Sequence, residues 1–343
     1  MKALLIKMSS MGDVVHALPA VTDAAAAGVR FDWVVEEAFA PIAALHPAVE
    51  NVVPIGWRRW RRDLWRTRGE VRGFFRNLRA CEYDLVLDAQ GLLKSAVVLA
   101  RSRGRDKVGF DRRAARESLA ASFYRRRATV ATGQHAVDRQ RQLFAIAFGY
   151  TLQETAPDFG LAPSVAQDDR CVLLHGTTWS SKHWPEAMWS EIARKADVAG
   201  MQVVLPWGNP IERQRAERIA ADSRARVLDA LSMEQLIDEL KTARLVVGVD
   251  SGLTHLAGAM GVATVTIYGS TDSSLTGCRG AAVVNLQAQF PCAPCLARDC
   301  RYQGGVQHWR NQPVSPACYS RLHPDSVWNS AMELLDADRV LHI

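Results

Sequence analysis

Leu245-Val246-Val247-Gly248-Val249-Asp250-Ser251-Gly252, followed by Leu253, Leu256, Ala257 and Met260 at helical spacing, sets the architecture of the chain. The apolar run reads as a buried strand, Asp250-Ser251-Gly252 as a tight turn, and the residues after it as a helix that Gly261 stops. Ala263-Thr264-Val265-Thr266-Ile267-Tyr268 then supplies a β-branched run, so the unit is strand, helix, strand with a parallel pair. In parallel α/β sheets ligands bind beyond the carboxyl ends of the strands, where the N–H groups of a helix start face an anion. Gly252 lets a phosphate approach the backbone there. Asp250 and Ser251 have two readings each, helix cap or ligand partner. His255 lies one turn in, on the side a ligand can reach.

The same design recurs to either side. Cys171 to Leu174 reads as a strand, and after it come Thr177, Thr178, Lys182 and Trp184, then a helix opened by Pro185 and closed near Gly200. Two threonines and a lysine after a strand suit a diphosphate, because hydroxyls donate to its oxygens and the ammonium offsets its charge. An ordinary surface lysine is the other reading of Lys182. Met201 to Leu205 is the next strand, with Trp207 suited to packing and Glu212 either solvated or accepting from a ribose. Arg226 to Leu228 continues the sheet, a helix covers Met233 to Thr242, and a last helix covers Ser326 to Asp336.

Earlier in the chain, strands are expected at Ala3 to Ile6, Phe31 to Val35, Asn51 to Ile55 and Tyr83 to Asp88, alternating with helical stretches. The helix Val14 to Ala27 contains Pro19, which bends it near its first turns. Lys7-Met8-Ser9-Ser10-Met11-Gly12-Asp13 lacks the GxGxxG spacing of a dinucleotide loop. It delivers a single carboxylate, Asp13, which is either a helix N-cap or a general base facing a cleft. Asp88-Ala89-Gln90-Gly91 repeats the strand and polar loop.

Between Trp57 and Arg79 nine arginines stand against two acids, Asp63 and Glu70. Trp57, Trp60, Leu64, Val71, Phe74, Phe75 and Leu78 fall near helical spacing, interrupted at Gly69, so one face is apolar and the others basic. Such a segment points to a membrane surface or an anionic ligand, with a merely solvated face as the alternative. Nucleic acid is not expected, because no motif for it accompanies the patch. Arg112, Arg113, Arg116 and Arg125 to Arg127 add positive charge.

At 343 residues, with 48% hydrophobic and 23% charged, the chain is globular and long enough for two cores. Pro157, Gly160 and Pro163 mark Thr151 to Asp169 as the linker, giving domains 1–160 and 161–325 and a terminal helix 326–343 that packs back on the first domain. The apolar run at the N-terminus is too short for a signal peptide and no segment approaches a membrane span, so a cytoplasmic location is expected. Seven cysteines, an odd number, argue against a disulfide framework. Cys292, Cys295, Cys300 and Cys318 leave two readings, a structural zinc or reduced thiols. Asp336-Ala337-Asp338, at the end of the last helix, reads as surface rather than as a metal motif.

Lys7 to Asp13, Asp88-Ala89-Gln90-Gly91-Leu92, Thr177 to Trp184 and Asp250 to His255 occur together and in this order. The combination, which spans nearly the whole chain, resembles the bacterial lipopolysaccharide heptosyltransferases. The resemblance implies the GT-B fold, an α/β architecture of two Rossmann-like domains facing across a cleft. It further implies inverting transfer of L-glycero-D-manno-heptose from ADP-heptose to the inner Kdo of Kdo2-lipid A, at the cytoplasmic face of the inner membrane and with no cofactor or metal. By the same resemblance Asp13 is the general base. Thr177, Thr178, Lys182, Glu212, Asp250, Ser251, Gly252 and His255 match donor-binding positions, with Ser251 where the family often has Thr, and Lys182 also stabilises the departing ADP. Arg58, Arg59, Trp60, Arg61 and Arg116 resemble acceptor-binding positions. The rivals are a member of the family that extends the already heptosylated acceptor, which the Trp57 to Arg62 segment disfavours, and a non-catalytic basic module that docks on membranes.

Overall fold

The computed structural model describes residues 1–165 and 168–341, the side chains of 338–341 excepted. The chain divides into one unit, Met1–Leu161, and a second that begins at Ala162. The linker expected over Thr151 to Asp169 has no regular secondary structure over 151–165, and its residues 166 and 167 lie outside the described residues, as does the side chain of Asp338.

In the first unit, β1 (Lys2–Ile6), β2 (Arg30–Glu36), β3 (Val49–Ile55), β4 (Glu82–Asp88), β5 (Arg103–Phe110) and β6 (Arg126–Ala128) form one parallel sheet in the order β3-β2-β1-β4-β5-β6. In the second, β7 (Arg170–Leu174), β8 (Gln202–Leu205), β9 (Arg226–Val227), β10 (Leu245–Val249), β11 (Thr264–Tyr268) and β12 (Val283–Gln287) repeat that order as β12-β11-β10-β7-β8-β9. This is the GT-B pair of doubly wound sheets. In each, the chain starts in the middle and reverses direction there, so the loops after β1 and β4, and those after β7 and β10, lie side by side beyond the carboxyl ends of their strands. All four quoted motifs fall on these loops.

The sequence pattern is locally consistent with these elements. Leu245–Val249 is buried at every residue because both faces of a parallel sheet are covered. A Cβ at Gly248 would collide with the Thr254 hydroxyl. Glycine there lets the helix Gly252–Ala259 settle onto its strand, where Thr254 Oγ1 donates to the Val249 carbonyl at 2.8 Å. Gly261 ends that unit with φ of +81°, a conformation that costs an L side chain strain. Around Pro19 the expected single helix is two, Met11–Val15 and Leu18–Ala26, with the proline in the first turn of the second, where its missing N–H is not needed.

Four expectations are corrected. The basic segment breaks at Arg61 to Asp63 rather than at Gly69, giving helices Trp57–Trp60 and Leu64–Leu78. Asp63 caps the second, accepting from the Arg66 N–H at 3.1 Å, and a cap outweighs the roughly 1 kcal/mol that a mid-helix glycine costs. Arg103–Phe110 and Arg126–Ala128 are strands that polar composition hid. Arg126 is consequently no free surface charge, since it pairs with Asp106 and donates to the Ile146 and Ala147 carbonyls. Finally, the helix Pro324–Leu341 completes the second core through Val327, Ala331 and Leu335, where a return to the first domain was expected.

Candidate functional site

In the first unit the loop after β1 is held by the loop after β4. Asp88, fully buried, accepts from the Gln90 and Gly91 N–H groups through Oδ1 and from the Ser95 and Tyr124 hydroxyls through Oδ2, at 2.7 to 3.1 Å. Burial pushes its carboxyl up even against those four bonds. Gln90 is thereby set so that its Oε1 accepts from both the Met8 and Ser9 N–H groups, each at 3.0 Å. Asp13 stands at the end of that loop. Its Oδ2 accepts from the Ser10 N–H at 2.8 Å and the Ser10 hydroxyl at 2.9 Å, while Lys7 Nζ lies 3.6 Å from Oδ1.

Burial would raise the Asp13 carboxyl, but the Lys7 charge and the two Ser10 bonds outweigh it and hold the pKa below the ordinary carboxylate value. The side chain keeps 30% of its surface open, so an ionised carboxylate faces solvent from a rigid cradle. Asp13 is therefore not the N-cap, which is Ser10, but the third residue of the helix, whose carboxylate reaches back to Ser10 and still has an open lone-pair side for a proton.

Lys7 and Lys94 were not singled out in the sequence and belong here. Lys7 Nζ donates to the Ala89 carbonyl at 3.0 Å, and Lys94 Nζ to the Ser9 hydroxyl at 2.8 Å. Burial lowers the pKa of both. Arg58 and Arg61 lie within electrostatic range of Lys94, and Arg116 within that of Lys7, so these three expected acceptor residues gather round the loop. The other two do not. Trp60 is buried in the core, edge-on to Phe74, with its indole N–H given to Glu70, and Arg59 is gripped by Glu37 and Glu70 at 3.2 and 2.6 Å. A signal for Gln90 existed: a polar side chain beside the central strand at the reversal point.

Gln90→Ala is expected to leave the Met8 and Ser9 N–H groups buried and unpaired, at a cost of about 2 kcal/mol in unfolding free energy. Urea denaturation of the full chain checks this.

In the second unit Asp250 is the hub. Its Oδ2 accepts from Lys182 Nζ at 2.6 Å and from the Thr271 hydroxyl at 2.7 Å, and its Oδ1 meets His255 Nε2 at 3.1 Å. Burial alone would raise this carboxyl, but the bonds and charge of His255 and Lys182 hold it well below the usual range. The expectation that His255 faces a ligand is corrected: it is 4% exposed and braces Asp250 from inside. Burial pulls its pKa down, yet the Asp250 carboxylate and the Cys278 sulfur raise it to about 9. Ser251 takes the N-cap reading, accepting from the Thr254 N–H at 3.4 Å, so the helix start at Gly252 keeps its first N–H groups open. Asp250 aims Lys182, whose ammonium also sits 4.7 Å over the Trp179 ring. The fully buried Trp184, edge-on to Trp189 at 5.2 Å, anchors the end of that loop. Glu212 accepts from the Gly208 N–H at 2.8 Å, and its carboxylate lies against Gly176, next to Thr177 and Thr178. Thr271 had no motif to find it by; only the fold brings it to Asp250.

The pair gives a stability profile with a definite sign. His255, raised from 6.5 to about 9, contributes stability that is complete below pH 6.5 and is lost as pH rises through about 9. Asp250, depressed, contributes above the ordinary carboxylate pKa and loses that share as pH falls. The melting temperature is expected to decline between pH 6.5 and 9 in the wild type and much less in His255→Asn, measured by calorimetry across that range.

Among the cysteines, Cys292, Cys295 and Cys300 are exposed and Cys318 is buried, and all are free thiols. Burial, helped by the three neighbouring thiols, pushes Cys318 up to about 12. No group of three His, Cys, Asp or Glu among the described residues is arranged to hold a metal ion.

The family model described as Glycosyltransferase family 9 (heptosyltransferase) matches residues 71–305. Lipopolysaccharide heptosyltransferase 1 of Pseudomonas aeruginosa is 48% identical, with 99% of this chain and 100% of that one covered. The protein of the same name from Escherichia coli K12 is 43% identical over 81% of this chain and 90% of its own. An E. coli heptosyltransferase solved with ADP superimposes with a TM-score of 0.80 at 42% identity, over 84% of this chain and 94% of that chain. A structure of that enzyme with ADP-2-deoxy-2-fluoro heptose gives 0.77 over the same shares.

Proposed function

The chain belongs to glycosyltransferase family 9, the heptosyltransferases, and from that premise we propose that it moves L-glycero-D-manno-heptose from ADP-heptose to the inner Kdo of Kdo2-lipid A. The observation that carries the reading is Lys182 held on Asp250 beside the open helix start at Gly252, in a chain that a lipopolysaccharide heptosyltransferase 1 matches over 99% of its length. This is a place built for a diphosphate.

In the proposed reaction the acceptor hydroxyl attacks the anomeric carbon from the face opposite the ADP, and the bond from that carbon to the diphosphate oxygen breaks. Configuration inverts. The hydroxyl proton passes to Asp13. Charge that develops on ADP is met by Lys182 and the helix N–H groups, with Thr177 and Thr178 donating to diphosphate oxygens and Glu212 accepting from the ribose. Arg58, Arg61 and Arg116 meet the carboxylates and phosphates of the acceptor. The first unit thus serves the acceptor and the second the donor. No helix among the described residues is long and apolar enough to cross a membrane, and the protein works as a peripheral enzyme on the inner face of the inner membrane.

The test is ADP release and product mass with ADP-heptose and either Kdo2-lipid A or its heptosylated form. Turnover on Kdo2-lipid A supports the reading. Turnover on the heptosylated acceptor alone replaces it with the next transfer in the core, and vesicle binding without turnover on either leaves a docking module.

A further inference from the structure

The arginines of the basic segment are not equivalent. Arg59 and Arg66 are paired with carboxylates, whereas Arg72, Arg76, Arg79 and Arg101 have no carboxylate partner among the described residues. These four line one cavity of about 580 Å³ whose floor is Val71 and Phe75, with the Arg101 guanidinium 5.1 Å from the Phe75 ring. Like charges gathered over an apolar floor repel one another, and a bound anion relieves that repulsion.

The cavity opens on a longer face. At 100° per residue, Leu64, Trp65, Arg68, Arg72, Phe75, Arg76 and Arg79 share one side of the helix Leu64–Leu78 and its cap. Trp65 is 80% exposed and Leu64 63%, large apolar groups that a soluble surface seldom displays together. The buried residues Thr67 and Leu78 adjoin this face, with Val71 and Phe75 half-buried against the core at the seam. An exposed tryptophan beside arginines over an apolar floor is the composition of a membrane interface, where the indole sits among headgroups and guanidiniums bind phosphates. The cavity also stands apart from Asp13. The helices Leu64–Leu78 and Leu93–Arg101 end where they feed β4 and β5, at the amino edge of the sheet, whereas the Lys7 to Ser10 loop leaves β1 at the carboxyl edge.

We propose that this face, with its four-arginine cavity, is a docking site for anionic phospholipid headgroups, separate from the acceptor site. It builds on the reading that the acceptor is a membrane lipid, but its test needs no substrate, so either can fail alone. Docking through this face would hold the enzyme on the leaflet between turnovers while Asp13 is free to meet successive acceptors.

The experiment is sedimentation of the full chain with vesicles of phosphatidylglycerol and phosphatidylethanolamine, or of phosphatidylcholine alone. Binding is expected only to the anionic vesicles, weakening with salt. Arg72→Gln/Arg76→Gln/Arg79→Gln should lower the partition coefficient on the order of 100-fold. Trp65→Ala, a single exposed change that spares the fold, should lower it severalfold. Turnover on Kdo2-lipid A in detergent micelles should stay within about twofold of wild type in the triple arginine variant, by the separateness of the cavity from Asp13. Undiminished vesicle binding in the triple variant overturns the proposal. So does a raised KM for micellar acceptor with vesicle binding intact, which would make the cavity an acceptor subsite. Equal affinity for duplex DNA and for anionic vesicles would overturn it as well, by reducing the face to general polyanion binding.

Discussion

Asp13→Asn is expected to lower kcat by about 10²- to 10⁴-fold, the range that removal of a positioned base produces. The amide keeps the shape of the carboxylate and an oxygen for the Ser10 N–H, so the loop survives and the chemistry is what is lost. Titration with ADP should give the wild-type affinity, because Lys182 and Asp250 belong to the other unit. The wild-type pH profile carries the complementary signature. Since Lys7 and Ser10 depress the Asp13 pKa, the carboxylate stays ionised well into the acid range, and the acid limb of kcat should lie below the ordinary carboxylate value. Rapid-quench measurement of a single turnover separates this from slow product release. Turnover within a few fold of wild type in the asparagine variant would remove Asp13 from its proposed role.

Lys182→Gln is the second large effect. Its ammonium is the cation aimed by Asp250 at the place proposed for the diphosphate, and one such group aimed at developing charge is worth roughly 3 kcal/mol, about 10²-fold in kcat. The fold should tolerate the change. Asp250 keeps the Thr271 hydroxyl on Oδ2 and His255 on Oδ1, so the buried carboxylate is not left without partners. A melting temperature lowered only by the Lys182 share of the Asp250 stabilisation, with depressed turnover per folded molecule and weakened ADP binding, is the expected outcome by calorimetry and kinetics. A loss of melting temperature with normal turnover per folded molecule would show Lys182 to be a structural partner of Asp250.

Much of this was legible in the residues. The fully apolar run Leu245–Val249 has the signature of a strand covered on both faces, and Gly261 that of a left-handed helix end. Position in the loops after the strands made Asp13, Lys182 and Asp250 candidates, and the family resemblance gave them roles. What was not legible was partnership. Arg59 and Arg61 look alike in sequence, yet Glu37 and Glu70 take the first. Trp60, on the apolar face by its spacing but set with the acceptor arginines by the resemblance, is core. The strand Arg103–Phe110 escaped because its first residues are polar.

Local pattern thus determined the apolar strands, the turns and the loops that follow them, because apolar periodicity and glycine conformation act between near neighbours. The direction each charge faces was decided only by the tertiary structure. Lys182 and Asp250 are 68 residues apart, and Gln90 reaches Met8 across 82. Such pairs meet because parallel strands set their carboxyl ends side by side, and the free energy of a buried charge depends on the partner found there rather than on its neighbours in the chain.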